Sequence, residues 1–166
     1  MIRIIEGNIV DAKTDYIIHQ VNCQGEMNTG VAKALRDYDE NIYIHYRNVC
    51  KLREFNPELL LGTYDEYFIR RKNQVILSLF AQDKYGYDGK QYTDLKAFRE
   101  GLNFIRQQIP VYWFDADNRP HKTTIALPYK IGCGRGGADW EVVYKIIEEE
   151  LGIFKVELWK LEEQNV

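Results

Sequence analysis

The period of apolar positions changes along the chain, and each change marks an element. Ile2 to Ile5 reads as a short strand stopped by Glu6-Gly7-Asn8. Asp15 to Asn22 (DYIIHQVN) reads as a second strand, apolar from Tyr16 to Val21. That density is too high for a strand with one wet face and predicts cover on both sides. From Gly30 the period lengthens, with Val31, Ala34, Leu35, Tyr38 and Ile42 at helical spacing. One helix is expected there, running on into the stretch 43–53. Leu59 to Ile69 and Gln74 to Phe80 predict two strands joined by a turn at Arg71-Lys72-Asn73. After a polar loop from Gln82 to Gln91, Tyr92 to Ile109 predicts a helix ended by Pro110. Trp113 to His121 shows no period and contains a loop-like DADNRP. Thr123 to Leu127 is a β-branched strand, Asp139 to Leu151 a helix, and Phe154 to Leu161 a final strand. Strands alternate with helices, so the fold class is α/β with a mostly parallel or mixed sheet, in one domain over residues 1–166.

Composition narrows the chemistry. The 166 residues are 45% hydrophobic and 28% charged, an ordinary globular balance. The formal net charge of -3 gives no basic footprint for general nucleic-acid binding. An anionic ligand would therefore have to be held by local donors such as backbone N–H groups. Cys23, Cys50 and Cys133 are far apart and form no CxxC or Cys/His metal spacing, so no metal and no cofactor is expected. Free thiols suit a reducing compartment. The N-terminal MIRIIEGNIV lacks a basic-then-apolar signal, and no apolar run reaches the roughly 18 residues of a membrane span. A cytoplasmic location without membrane contact is expected.

Two segments carry candidate chemistry. IGCGRGGADW lies between a strand and a helix, and its glycines would let N–H groups approach a phosphate at the positive end of that helix. Gly132, Gly134 and Gly137 also satisfy GxGxxG. A dinucleotide fold needs further βα units, and only one strand follows here; a Walker loop needs Lys-Ser/Thr, which is absent. The alternative is a tight turn that binds nothing. HQVNCQGEMNTGVAKAL repeats the design after the second strand. Asn22, Gln24 and Asn28 offer neutral amides, either to a ligand or as caps of the next helix. Beyond the carboxyl ends of adjacent strands, two such loops would form one cleft.

At these segments the chain resembles the macro domain family. HQVNCQGEMNTGVAKAL looks like that family's first ligand loop, and ALPYKIGCGRGGADWEVVYKIIEEEL like its last strand–loop–helix block. IIEGNI resembles its first strand and turn, and FAQDKYGYDGKQYTDLKAF the middle segment of small bacterial and phage members. The branch it most resembles holds the phosphatases of ADP-ribose 1''-phosphate and the deacylases of ADP-ribosylated side chains. The resemblance implies a three-layer α/β/α sandwich with a central mixed sheet. It implies ADP-ribose or ADP-ribose 1''-phosphate as ligand, and ADP-ribosylated protein or nucleic acid as wider partners. A phage-encoded member would work in the host cytoplasm.

Roles follow residue by residue from that resemblance. Asn8-Ile9 sits where adenine is contacted, with Asn8 in place of the usual Asp. Asn22 matches the distal-ribose asparagine. Gly30-Val31 and Gly134 to Gly137 would present N–H groups to the two phosphates, and Gly132, Cys133, Gly134, Arg135 and Gly136 would line the ligand. Trp159 is either an aromatic against adenine or an ordinary core tryptophan. IIHQVNC resembles the segment of the yeast-type phosphatases with their proposed catalytic histidine. His19 is thus either a base or nucleophile or a hydrogen-bonded core residue. His19 and Asn22 differ by an odd step, so a bend or bulge is needed to bring them to one site. Asp139 is either a helix cap or a base that orients water. Relatives using a covalent lysine carry Lys where this chain has Gln82, and Asp where it has Gly136. Glutamine cannot form a Schiff base, so that route is disfavoured. Asp83, Lys84, Tyr85 and Lys90 form a polar rim or lid. The activity implied is hydrolysis of ADP-ribose 1''-phosphate; the alternatives are a non-catalytic ADP-ribose reader and a deacylase.

Overall fold

A computed structural model describes residues 1–161. Residues 162–166, included in the expected domain, lie outside the described residues. Six strands form one sheet in the order β1-β8-β7-β2-β4-β3: β1 (Ile2–Glu6), β2 (Tyr16–Asn22), β3 (Tyr64–Ile69), β4 (Gln74–Gln82), β7 (Thr124–Pro128) and β8 (Lys155–Lys160). Every neighbouring pair is parallel except β3 with β4, so the sheet is mixed and mostly parallel.

Strand alternation sends β2 side chains to two separate cores. Ile18, Leu77, Leu79, Ile125 and Leu158 pack with Phe98, Leu102 and Ile105 of α4 (Leu95–Gln108) and Val143 and Ile147 of α5 (Trp140–Leu151). Ile17, Val21, Ile76 and Phe80 pack on the other face with Leu35 of α1 (Gly30–Tyr38), Tyr46 of α2 (Glu40–Leu52) and Leu60 of α3 (Pro57–Leu60). This is the expected three-layer α/β/α sandwich. A one-residue slip of β2 would turn Val21 away from the α1–α3 face and bring Gln20 to it, so the register is strongly specified.

Four boundaries differ from the periodicity. The helix expected from Gly30 to beyond Tyr43 is two helices, broken at Asp39. Asp39 is extended (φ -152°, ψ 104°), and its carboxylate accepts from Asn41 N at 3.0 Å to cap α2. The apolar run from Leu59 begins as α3, because Asn56 caps and Pro57 occupies the first turn. The helix expected from Tyr92 starts at Leu95, where the Asp94 carboxylate accepts from Ala97 N at 2.9 Å. The aperiodic 113–121 stretch is an antiparallel hairpin, β5 (Tyr112–Phe114) with β6 (Pro120–Lys122), outside the main sheet. No helix among the described residues is long and apolar enough to cross a membrane.

Candidate functional site

Parallel β2, β4 and β7 are neighbours, so the loops leaving their carboxyl ends share one side of the sheet. Between those loops lies a cleft of about 480 Å³. Its walls include Asn22, Glu26, Gly30 and Val31 from the first loop and Gly132, Gly134, Arg135 and Gly136 from the last. Gln82, Tyr85 and Tyr87 form a third side.

The glycine loop is folded by its carbonyls. Gly132 O accepts from Thr93 Oγ1 (2.8 Å) and Ala138 N (3.1 Å), and Gly136 O accepts from Tyr92 N (2.8 Å) and Thr93 N (2.9 Å). Among the described residues, the N–H groups of Gly134, Arg135 and Gly136 have no partner. A Cβ on Gly136 would overlap Thr93 Oγ1 and Gly132 O, whereas one on Gly134 would meet nothing within 4 Å. Gly136 is therefore required by the loop itself, and Gly134 faces open space. Across the cleft α1 begins at Gly30 (φ +61°), and Thr29 makes no side-chain cap bond. The first-turn N–H groups of a helix have no acceptor within it, so α1 also presents free donors. α2, α3, α4 and α5 are all capped by a side chain.

A polar layer joins the three loops. Gln20 Nε2 donates to Gln82 Oε1 and to Thr93 Oγ1, both at 2.8 Å. Cys23 N and Gln24 Nε2 donate to Asp83, at 3.0 Å to its carbonyl and 2.9 Å to its carboxylate. Gln82 is thus a structural amide, and Lys84 is exposed and outside the lining. Lys130 is the lysine that lines the cleft.

The register of β2 against β4 shifts between Val21 and Asn22, which supplies the irregularity that His19 and Asn22 require. Yet both side chains are engaged by the protein. His19 lies at the cleft wall but is 1% exposed, with Nε2 and Ser78 Oγ 2.8 Å apart and Nδ1 without a partner among the described residues. Burial pushes its pKa down to about 3, so the ring is neutral at physiological pH. Asn22 Oδ1 accepts from Gln24 N (3.0 Å), Glu26 N (3.3 Å) and Tyr46 Oη (2.9 Å), and its Nδ2 donates to Glu26 O (3.0 Å). Asn22 shapes the loop in this structure.

Other expected site residues lie outside the lining. The Asp139 carboxylate accepts from Glu141 N (2.8 Å) and Val142 N (3.4 Å) as the cap of α5. The Cys133 thiol sits against Ile131 O, its pKa pushed up to about 11, mainly by burial and then by Asp139. Asn8 Oδ1 accepts from Val10 N (3.2 Å), and Ile9 is buried. The Trp159 ring stands against Gly7, and its Nε1 donates to Glu157 Oε1 (3.1 Å) in a separate groove. β8 places Trp159 beside Pro128, which does line the cleft. Sequence reasoning missed Gln20, Tyr129 and above all Glu26. The signal for Glu26 was one charge inside an otherwise neutral loop.

The sheet order, the two glycine-bearing loops and the cleft between them define the macrodomain fold. No family model matches the chain. It is similar to the macrodomain of Thermus aquaticus DarG, with 24% identity, a TM-score of 0.72 and 98% of each chain covered. It is also similar to Thermosipho africanus DarTG in complex with ADP-ribose (17% identity, TM-score 0.73), covering 99% of this chain and 43% of that one. A curated relative, the DNA ADP-ribosyl transferase–DNA ADP-ribosyl glycohydrolase fusion protein of Thermosipho africanus, is 21% identical over 154 residues. The match takes in 86% of this chain and 37% of that protein.

Proposed function

We propose that the cleft binds ADP-ribose through its diphosphate and that the chain hydrolyses the bond joining ADP-ribose to a modified macromolecule. The observation that carries the reading is the pair of unpartnered N–H runs, at the uncapped start of α1 and at Gly134–Gly136, on two walls of one cleft. Backbone donors of this kind bind anions without net positive charge, as a chain of net charge -3 requires. Trp159 and Asn8, beside Pro128 and Gly7, are the proposed adenine end. The ADP-ribose in the Thermosipho complex and the DNA glycohydrolase named in the curated relative supply the ligand and an ADP-ribosylated nucleic acid as the leading substrate class.

Phosphatase action on ADP-ribose 1''-phosphate is a narrower reading. It needs His19 or Asp139 at phosphorus; here His19 is 1% exposed at the cleft wall with Nε2 against Ser78, and Asp139 caps the α5 N-terminus. Calorimetry with ADP-ribose, ATP and NAD tests the pocket, with ADP-ribose expected to bind most tightly. Equal or absent binding of all three would reject the assignment. Release assays then separate phosphate from ADP-ribose as product, and binding without either product would leave a reader module.

A further inference from the structure

Resting on that reading, we propose that Glu26 is the catalytic carboxylate of the cleft, activating the water that releases ADP-ribose from an uncharged acceptor. Glu26 is the one carboxylate among the residues lining the cleft. Asn22 holds it from both sides of its backbone, accepting from Glu26 N and donating to Glu26 O. The carboxylate is oriented in turn: Asn28 Nδ2 donates to Oε2 at 2.8 Å, and Arg47 Nη1 lies 3.8 Å from Oε1. Arg47 is itself anchored, donating to Gly25 O at 3.0 Å. The Glu26 side chain is 35% exposed, open enough to meet water.

Its place in the sheet says which part of the ligand it meets. The Glu26 loop follows β2 and docks on Asp83 after β4. Trp159, at the proposed adenine end, stands on β8, beyond β7. With the diphosphate on the N–H runs between them, the carboxylate faces the sugar remote from adenine. Of the competing groups, His19 reaches the cleft wall but is 1% exposed, with Nε2 against Ser78 and Nδ1 unpartnered among the described residues, and Asp139 lies outside the lining as the cap of α5.

The step balances as a hydrolysis. The water oxygen bonds to the anomeric carbon of that sugar while its proton passes to a Glu26 carboxylate oxygen. The bond to the acceptor breaks, and its electron pair leaves with the acceptor. The acceptor then takes a proton, leaving ADP-ribose and the free acceptor. A fixed carboxylate repels a phosphomonoester dianion in the same place. The substrate class is therefore ADP-ribose attached through nitrogen or oxygen to a neutral group, such as a nucleobase or side chain.

The test uses a single-stranded DNA oligonucleotide ADP-ribosylated on a base, peptides ADP-ribosylated on Ser or Glu, and ADP-ribose 1''-phosphate. The wild-type chain should release ADP-ribose from at least one macromolecular probe faster than phosphate from the 1''-phosphate. Glu26→Gln should slow that release by about 10²-fold or more. Its ADP-ribose affinity should change by less than about threefold, with an unaltered melting curve, and Glu26→Asp should recover part of the rate. Retention of the rate by Glu26→Gln to within about threefold overturns the inference. So does a wild-type chain that binds ADP-ribose and cleaves none of the macromolecular probes. Failure of the wild type to bind ADP-ribose would remove the reading of the cleft itself.

Discussion

Arg135 reaches across the cleft to Tyr87: its Nη1 donates to Tyr87 Oη at 3.1 Å, and its guanidinium carbon lies 4.3 Å from the ring centroid. The contact ties the glycine loop to the opposite rim. Both partners are exposed, so the strap is weak enough to open for a ligand. Removing it with Tyr87→Ala should raise both association and release rates of ADP-ribose in stopped-flow measurements. The equilibrium affinity should move by less than about tenfold. Unchanged rates would show that the strap does not gate the cleft.

Gly134 and Gly136 should behave in opposite ways. Gly134 has free space where a Cβ would go, so Gly134→Ala should leave stability within about 0.5 kcal/mol and weaken ADP-ribose binding. Gly136→Ala would push on Thr93 and the Gly132 carbonyl, and should destabilise by about 1–3 kcal/mol. Urea denaturation and calorimetry on the two variants read both effects. Equal behaviour would contradict the loop geometry.

His19 makes a pH prediction with a definite sign. Burial lowers its pKa from 6.5 to about 3, so between those values the unfolded chain binds a proton that the native chain does not. Its contribution is fully present above pH 6.5 and is lost as pH falls toward 3. Over that window wild-type stability should drop by up to about 1.4 kcal/mol per pH unit more than that of His19→Gln. Denaturation at pH 7 and pH 5 measures the difference. A neutral, buried imidazole should also leave no limb near pH 6.5 in a pH–rate profile.

Asp139→Ala should cost about 1 kcal/mol of stability, as expected for the loss of a helix cap. ADP-ribose affinity should change by less than about threefold, and Asp139→Ser should restore most of the stability. Loss of turnover at unchanged stability would instead place Asp139 in the chemistry.

The layers and the ligand loops were legible because they rest on local rules. The apolar run Tyr16–Val21 could only be a strand covered on both sides, and both cores are there. Four glycines between β7 and α5 marked a backbone that must come close to something. Boundaries failed where a side chain acted on the backbone locally. Asp39 interrupts a helix whose apolar period runs straight through it, and Pro57 turns the start of an apolar run into α3. The hairpin Tyr112–Lys122 had no apolar period to read, since it packs outside the sandwich.

By itself, then, the amino-acid order determined the α/β class, the strand–loop–helix units and the two loops suited to an anion. These follow from periodicity and from which residues tolerate turns, both short-range properties. Only the tertiary structure decided how each polar side chain is spent. Asn22, Gln82 and Asp139 satisfy backbone or neighbouring groups, His19 is buried at the cleft wall with Nε2 against Ser78, and Glu26 is the carboxylate left at the cleft. A hydrogen-bonding group takes the nearest partner in space, and that partner is chosen by the packing of strands and helices far apart in the chain.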